Sequence, residues 1–412
     1  MSKIPIKNKI KNLRPSSTLA INEKSKDLIK KGKKIYRFGF GQSPFPVPEK
    51  IVECLKLNAA KKDYLPVKGL LDLREAISRY LLKRTGNEYP AENILITPGS
   101  KEAMYLMHLA FKGNILLPES SWVSYNPQAK IAENKVYWIK TSRDENWFPT
   151  TSQIKKIIKK SKSKNNILII NSPNNPSGTK CNNLRELADV AKKNNLIILS
   201  DEIYTELSFD KKYESISKYY PENTFISSGL SKWCGAGGWR IGFIAAPKKH
   251  KNFLESMKVL ASETFSTVNT PTQFAAVEAY SGNYDDYLKS TINILKSVGE
   301  YVYRKLKSNN VILNKPQGGF YLMPEFLNTK FTNSAKLCES ILKDTGVALL
   351  PGSDFGFNSK KMIVRLSYTD FDGSLFLRNI QNNTIIDDAL ILKYAPNVVE
   401  GVQKLSNWAK KF

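Results

Sequence analysis

Residues 228–242 read Ser-Gly-Leu-Ser-Lys-Trp-Cys-Gly-Ala-Gly-Gly-Trp-Arg-Ile-Gly. One lysine, Lys232, lies among serine and glycine residues, and Arg240 follows eight positions later. A lysine that forms a Schiff base needs a neutral amine and a backbone that leaves room for a bulky cofactor. A nearby fixed cation favours the neutral amine, and small residues leave the room. A glycine-rich surface loop with an ordinary lysine has the same composition. Other motifs must therefore distinguish a Schiff-base lysine from an ordinary one.

The composition indicates a globular protein with two domains. The chain has 412 residues, 41% of them hydrophobic, and no apolar run approaches the length of a membrane span. The net charge of +26 would suit a nucleic-acid partner, but the first 34 residues alone hold 11 basic and 2 acidic residues. No nucleic-acid-binding motif accompanies this charge. We therefore expect neither a nucleic-acid partner nor a membrane partner. The positive charge is instead expected to create a field that steers anionic ligands toward the protein.

The cysteines and histidines point away from metal and histidine chemistry. The four cysteines are widely scattered without metal-type pairs, so they are expected to be free thiols in a reducing cytoplasm, with no metal site. The N-terminal segment has no apolar core of a secretory signal, which also favours the cytoplasm. His108 lies in an apolar helical run and is expected to be a packing residue. His250 lies in a lysine-rich turn.

Short apolar runs alternate with helical patterns through the middle of the chain. Strands are predicted at 94–97, 115–117, 136–139, 167–171, 196–200, 224–227 and 241–245. Helices are predicted at 72–83, 101–111, 151–160 and 184–193. Near-continuous apolar strands between helices are typical of a mostly parallel sheet that is covered on both faces. The predicted fold class is therefore α/β, with a seven-stranded sheet in a large domain.

The pattern changes after about residue 285. A long helix at 286–308 is followed by strands near 311–313, 319–323 and 364–368, with a helix near 334–344 between them and a last helix at the end. This mixture predicts a smaller α+β domain. The predicted division is an N-terminal segment at 1–45 that joins the small domain, a large domain at 46–285 and a small domain at 286–412.

Several polar residues follow the predicted strands directly. Asp201 comes after one strand, with Tyr204 three positions later, and Asn175 and Lys232 follow two others. The run 99–101, Gly-Ser-Lys, joins a strand to a helix, whose first backbone N–H groups can hold a phosphate. Because ligands of open α/β sheets bind beyond the carboxyl ends of the strands, these residues are expected to share one crevice.

The chain resembles the class I/II aminotransferases, the fold type I group of pyridoxal-phosphate enzymes, over nearly its whole length. The motifs that carry the resemblance are Tyr64-x-x-x-x-Gly69-x-x-x-Leu73-Arg74, Pro98-Gly99-Ser100-Lys101, Asn174-Asn175-Pro176-Ser177-Gly178-Thr179, Asp201-Glu202-Ile203-Tyr204, Ser231-Lys232, Gly238-Trp239-Arg240-Ile241-Gly242 and Arg365-Leu366-Ser367-Tyr368. The resemblance implies an aspartate-aminotransferase-like fold, pyridoxal 5'-phosphate as cofactor, and transfer of an amino group between an amino acid and a 2-oxo acid.

The resemblance also implies how the cofactor ring is bound. Lys232 would form the Schiff base and later act as the base that moves the substrate α-proton. Asp201 would keep the ring nitrogen protonated, and Tyr204 and Asn175 would donate hydrogen bonds to the ring oxygen. Trp122 would stack on the ring, although a buried aromatic without that role fits the sequence equally well.

The phosphate and the substrate have implied partners as well. The residues implied to hold the phosphate are Gly99, Ser100, Lys101, Ser231 and Arg240, together with Tyr64 of the neighbouring subunit. The implied active unit is thus a homodimer.

The substrate α-carboxylate has its own implied partners. Arg365 would bind it in a fork, with Asn175 and the backbone at Gly41 beside it.

The sequence motifs determine the identity of the substrate less well than that of the cofactor. Gly229 stands where many aspartate-type members carry a serine, and the stretch 261–273 lacks the arginine that one aspartate subgroup uses for the distal carboxylate. Lys101 matches a position where another subgroup places a lysine for that carboxylate, which favours aspartate or glutamate. It could equally be a helix-start residue near the phosphate.

Two other functions stay open on the sequence. Another enzyme on the same scaffold, such as a C–S β-lyase or a synthase, would share every cofactor residue. A non-catalytic amino-acid sensor would normally need a DNA-binding module, for which the segment before Arg37 has no room.

Overall fold

The computed structural model describes residues 4–11, 13, 15–380 and 384–411, and it is built around a seven-stranded sheet. The strands of this sheet are β1 Ile94–Thr97, β2 Asn114–Pro118, β3 Lys135–Ile139, β4 Asn166–Asn171, β5 Ile197–Asp201, β6 Thr224–Gly229 and β7 Gly242–Ala245. Two smaller sheets contain β8 Val311–Ile312, β9 Tyr321–Leu322, β10 Glu325–Phe326, β11 Leu350–Pro351 and β12 Val364–Ser367. The order in the large sheet is β1-β7-β6-β5-β4-β2-β3, and only β7 runs antiparallel to its neighbours.

Helices cover both faces of this sheet and build much of the remaining chain. They are α1 Asn8–Lys11, α2 Ser17–Lys30, α3 Glu49–Asn58, α4 Leu71–Thr85, α5 Ser100–Ala110, α6 Tyr125–Ile131, α7 Thr151–Ser161, α8 Leu184–Lys193, α9 Lys251–Thr264, α10 Thr270–Ser281, α11 Asp285–Leu306, α12 Ser334–Thr345, α13 Gly373–Arg378, α14 Asp388–Tyr394 and α15 Pro396–Ala409. The predicted α/β class with seven strands is confirmed.

The strands form because their side chains are buried on both faces. Leu116 and Leu168 belong to the apolar cluster on one face, whereas Ile115, Leu117 and Ile167 belong to the cluster on the other. Alternation of this kind needs continuous apolar runs, the pattern from which the strands were predicted. Each of the seven observed strands begins and ends within two residues of its prediction.

Parallel pairing brings three strand ends together. Asn171 at the end of β4 is the register partner of Asp201 at the end of β5, and Asp201 is the partner of Ser227 in β6. The start of α5 lies over the same edge, since a Cβ on Gly242 would collide with the backbone nitrogen of Ser100. The sheet therefore delivers several chain segments to one crevice.

The chain after α10 forms small sheets with its own helices. Strands β11, β12 and β9 make one sheet, and β10 and β8 make another. The N-terminal segment packs on these elements: Tyr36 forms a bridge with Val347, and Arg37 forms an ion pair with Asp370. Residues 1–3, 12 and 14 of the predicted N-terminal segment, and 381–383 and 412 of the predicted small domain, lie outside the described residues.

Some helices were not predicted from the sequence, among them α3, α9 and α10. The reason is clearest for α10, which packs against both α3 and α4 and is buried on several sides. A helix that is apolar all round shows no 3.6-residue periodicity to detect. The predicted strand at 319–323 is also longer than observed, because only Tyr321 and Leu322 pair with β12.

In the described part of the chain, every helix is too short or too polar to cross a lipid bilayer. The four cysteines are all described, and each is a free thiol, as predicted.

His108 is fully buried in α5, as expected for a packing residue. Neither ring nitrogen has a hydrogen-bond partner among the described residues. Burial lowers the pKa of this imidazole from 6.5 to about 4. Below pH 6.5 the unfolded chain binds a proton that the folded chain does not, so folding stability falls as the pH drops from 6.5 to 4.

We predict that the pH dependence of stability changes in the variant His108→Met. The free energy of unfolding of the parent should lose about 1.4 kcal/mol per pH unit between pH 6.5 and 4 relative to the variant. Methionine has a similar volume and does not titrate, and Met104 and Met107 belong to the same apolar cluster. Urea unfolding of both proteins at several pH values measures the difference. A difference that is independent of pH would contradict the buried, neutral imidazole.

Candidate active site

A cavity of about 610 Å³ opens at the carboxyl edge of the large sheet. Most of the residues selected from the sequence line it: Gly41, Ser100, Lys101, Trp122, Asn175, Asp201, Tyr204, Ser231, Lys232, Arg240 and Arg365. The fold thus brings together residues that lie more than 300 positions apart in the chain.

Lys232 follows β6, and its amine lies inside the cavity. The Nζ atom donates a hydrogen bond to the Gly41 carbonyl at 2.9 Å. Burial lowers the pKa of this amine from 10.5 to about 8, and the positive charges of Arg365 and Arg240 lower it further, against the opposing effect of Asp201. About a tenth of the amine is therefore neutral and nucleophilic at pH 7, far more than for an ordinary lysine.

Asp201 is buried at the end of β5. The Tyr125 hydroxyl donates to its Oδ2 at 2.6 Å, and the backbone N–H of Ile203 donates to its Oδ1 at 3.3 Å. Burial raises the pKa of this carboxyl from 3.8 to about 6, although both hydrogen bonds stabilise the anion. The group is thus a carboxylate at neutral pH and can accept a hydrogen bond from a cationic ligand.

The start of α5 and Arg240 form one wall of the cavity. Arg240 donates to the Pro98 and Gly237 carbonyls, both at 2.9 Å. Its guanidinium lies against Gly99, where any Cβ would collide with it. The first backbone N–H groups of α5, which begins at Ser100, lie beside this cation, and that combination favours an anion.

Arg365 in β12 is only 1% exposed, yet no carboxylate among the described residues forms an ion pair with it. Its two terminal nitrogens donate to the Asn175 side-chain oxygen at 3.1 Å and to the Gly39 carbonyl at 2.6 Å. Its Nε has no partner in the described structure. The charge of Asp354 also stabilises this cation, but its hydrogen bonds described above go to neutral oxygens. A buried guanidinium that is hydrogen-bonded only to neutral groups is a strong site for an anionic ligand.

Tyr204 and Tyr321 meet beside Arg365. Their hydroxyl oxygens are 2.9 Å apart, and the Tyr321 ring centre lies 4.7 Å from the guanidinium carbon of Arg365. Gly41 is packed against the Tyr321 hydroxyl so closely that a Cβ there would collide with it.

Lys101, in the first turn of α5, and Trp122 also line the cavity. The Lys101 amine lies 5.2 Å from the Trp122 ring centre, and Trp122 packs edge-on against Tyr125. Burial lowers the pKa of Lys101, with a further contribution from Arg240. Lys101 has no carboxylate within ion-pair distance in the part of the chain that the structure describes.

Two predicted residues do not line the cavity. Gly99 lies behind Arg240, as described above. Tyr64 does not line the cavity of its own chain, and it is 89% exposed.

The sequence did not single out Tyr125, Tyr321, Asn171 or the Ser16–Leu19 segment, although these residues contact or line the site. Tyr125 begins α6 three positions after Trp122, and this closeness in the chain was the only available signal. The other residues are joined to the site by long-range packing. Among the described residues there is no cluster of side chains suited to a metal ion.

Comparison with known proteins agrees with this geometry. A family model described as "Aminotransferase class I and II" matches residues 33–372. The chain is 31% identical to the aspartate aminotransferase of Bacillus sp. strain YM-2, over 88% of this chain and 94% of that protein. It is 30% identical to a probable aspartate/prephenate aminotransferase of Aquifex aeolicus, over 88% and 93%. The crystal structure of aspartate aminotransferase from Thermotoga maritima superposes with a TM-score of 0.81 at 26% identity, covering 98% of this chain and 100% of the other.

The fold and the cavity define an enzyme of the aspartate-aminotransferase-like α/β class. The chain belongs to the class I and II aminotransferase family. It is accordingly a transaminase that acts on amino acids and 2-oxo acids, and its cofactor is pyridoxal phosphate. The resemblance drawn from the sequence motifs is confirmed.

We predict that Lys232 is much more reactive than ordinary lysines in the cofactor-free protein. Only a neutral amine reacts with acetic anhydride, so trace acetylation across a pH series followed by peptide mapping reports the amine pKa. The labelling of Lys232 should have its midpoint near pH 8, against about 10.4 for unperturbed lysines. In Arg365→Gln the midpoint should rise, because one neighbouring cation is removed. A Lys232 midpoint near 10 in the parent would contradict the described environment.

Proposed function

We propose that this aminotransferase takes its amino group from aspartate and passes it to 2-oxoglutarate. The observation that carries the proposal is that Arg365 and Lys101 line one cavity, and neither has a carboxylate partner among the described residues. Two separate cations suit a ligand with two carboxylates, such as aspartate or 2-oxoglutarate. The relatives named aspartate aminotransferase support the same substrate.

The charges of the cavity fit pyridoxal phosphate. Among the described residues that line the cavity, four are cations (Lys101, Lys232, Arg240 and Arg365) and one, Asp201, is an aspartate or glutamate. We propose that the phosphate is held by the N-terminal backbone of α5, by Arg240 and by Ser231, with Gly99 leaving room for the guanidinium. Trp122 would pack on the ring.

Asp201 and Lys232 would each have one role in the chemistry of the cofactor and the substrate. When bound, pyridoxal phosphate supplies an aldehyde carbon for the amine and a conjugated ring that accepts electrons released at the substrate α-carbon. Asp201 would hold a proton on the ring nitrogen. Lys232 Nζ would remove the proton from the substrate α-carbon, for which an amine with a pKa of about 8 is well suited.

Substrate orientation would come from the buried arginine. Arg365 would bind the α-carboxylate through its unpartnered face, with the Gly41 backbone beside it. Asn175 uses its side-chain oxygen to hold Arg365, so its NH2 group remains for a ligand in the cavity. Tyr204 would donate to the ring oxygen of the cofactor. The reactive atoms are thus held by groups that are themselves fixed.

We further propose that the active unit is a cytoplasmic homodimer in which Tyr64 contacts the phosphate of the neighbouring subunit. Tyr64 and Leu57 are 89% and 84% exposed, large apolar side chains that a partner surface would cover. The division into a segment at 1–45, a large domain at 46–285 and a small domain at 286–412 belongs to the same proposal. The contact of Arg37 with Asp370 supports it.

A transaminase assay tests the reaction. Aspartate with 2-oxoglutarate should give oxaloacetate and glutamate in equal amounts, and omission of 2-oxoglutarate should stop turnover. The alternative is a C–S β-lyase or a synthase on the same scaffold. Release of pyruvate and ammonia from cystathionine without any oxo-acid acceptor, together with no turnover of aspartate, would favour the lyase and contradict the proposal.

We predict that Lys101→Ala discriminates between donors. If Lys101 binds the distal carboxylate, kcat/KM for aspartate should fall about 10- to 100-fold, the value of one charged hydrogen bond, whereas alanine has no distal carboxylate and should lose less than about threefold. The exposed Lys112 near the end of the same helix provides the matched control, Lys112→Ala. Equal losses for both donors would exclude Lys101 from this role.

A further inference from the structure

Tyr321 lies where the groups for the substrate and for the cofactor meet. It comes from β9, is only 1% exposed, and has its ring centre 4.7 Å from the guanidinium carbon of Arg365. Its hydroxyl oxygen is 2.9 Å from that of Tyr204. One side chain therefore contacts both the arginine and the tyrosine to which the proposed function gives separate tasks.

We propose that Tyr321 is a positioning residue: its ring orients Arg365, and its hydroxyl strengthens the hydrogen bond that Tyr204 donates to the cofactor ring oxygen. This inference rests on the proposed function for the roles of Arg365 and Tyr204.

The direction of the hydrogen bonds follows from a count of hydrogens. Burial raises the pKa of both phenols, so each carries its proton at neutral pH and has one hydrogen to donate. If the hydrogen of Tyr204 goes to the cofactor oxygen, the bond between the two tyrosines must use the hydrogen of Tyr321. A hydroxyl that accepts a hydrogen bond becomes a better donor, so Tyr321 would stabilise negative charge on the ring oxygen through Tyr204.

The surroundings fix Tyr321 in this position. Its backbone pairs with Ser367, two residues from Arg365. Cβ atoms on Gly41 and Gly178 would collide with its hydroxyl and its backbone carbonyl, respectively. Its ring packs against Phe320, and the guanidinium of Arg365 also lies 5.2 Å from the Phe355 ring. Because these contacts fix the Tyr321 side chain, the roles of its ring and of its hydroxyl can be tested with separate substitutions.

The hydroxyl is tested by Tyr321→Phe in the holoenzyme. The visible absorbance of the bound cofactor changes with pH, and its midpoint reports the proton shared between the ring oxygen and the nitrogen of Lys232. Loss of the Tyr321 hydroxyl should raise this midpoint by about 0.5 to 1 pH unit, equivalent to a 3- to 10-fold higher proton affinity. The matched control is Tyr368→Phe, which removes another buried hydroxyl that does not line the cavity and should leave the midpoint unchanged.

A double-mutant cycle tests the route through Tyr204. In a Tyr204→Phe background, Tyr321→Phe should add no further shift, because the intermediate hydroxyl is gone. An unchanged midpoint in Tyr321→Phe, or the same shift in both backgrounds, would overturn the proposal. Absence of any cofactor absorbance in the parent would instead refute the proposed function.

The ring is tested by the affinity for succinate, which has two carboxylates and neither an amine nor a keto group. Tyr321→Phe keeps the ring beside Arg365 and should change the dissociation constant less than about twofold, while Tyr321→Leu should weaken binding by about 5- to 30-fold. Retention of full affinity in Tyr321→Leu would show that the ring does not orient Arg365. Succinate binding is followed through the cofactor absorbance, so the measurement does not depend on turnover.

Discussion

The site depends on buried positive charge that forms no ion pair among the described residues. Arg365 is buried with only the neutral oxygens of Asn175 and Gly39 as hydrogen-bond partners. Removal of a guanidinium from water costs several kcal/mol when no anion compensates it. Burial lowers the pKa of Lys232 to about 8, and the charge of Arg365 contributes to this shift. Arg365 therefore links the site for an anionic ligand with the reactivity of the buried amine.

Much of the fold and part of the site could be predicted from the sequence. The strands of the large sheet are continuous apolar runs because they are buried on both faces, and this pattern is local. Asp201, Asn175 and Lys232 could be assigned to one crevice because parallel strands end at one edge. The observed register of Asn171, Asp201 and Ser227 agrees with that argument.

Other features have no local signal. The helix α10 is buried on several sides, so its sequence lacks periodicity. Tyr125 and Tyr321 act on Asp201 and Tyr204, and these pairs are 76 and 117 positions apart in the chain. The local sequence around a tyrosine in a helix or a short strand is the same whether its hydroxyl contacts water or a buried carboxylate. Such contacts are determined by how β9, β12 and α6 pack on the large sheet, which only the folded structure reveals.

The central claim is that Lys232 carries the cofactor covalently, and borohydride reduction tests it most directly. Reduction of the holoenzyme fixes the carbon–nitrogen bond, and peptide mapping by mass spectrometry locates the modified residue. The account predicts one pyridoxyl phosphate group per chain, on Lys232, and none there in Lys232→Arg. A modified lysine elsewhere in the chain, or no modification at all, would contradict it.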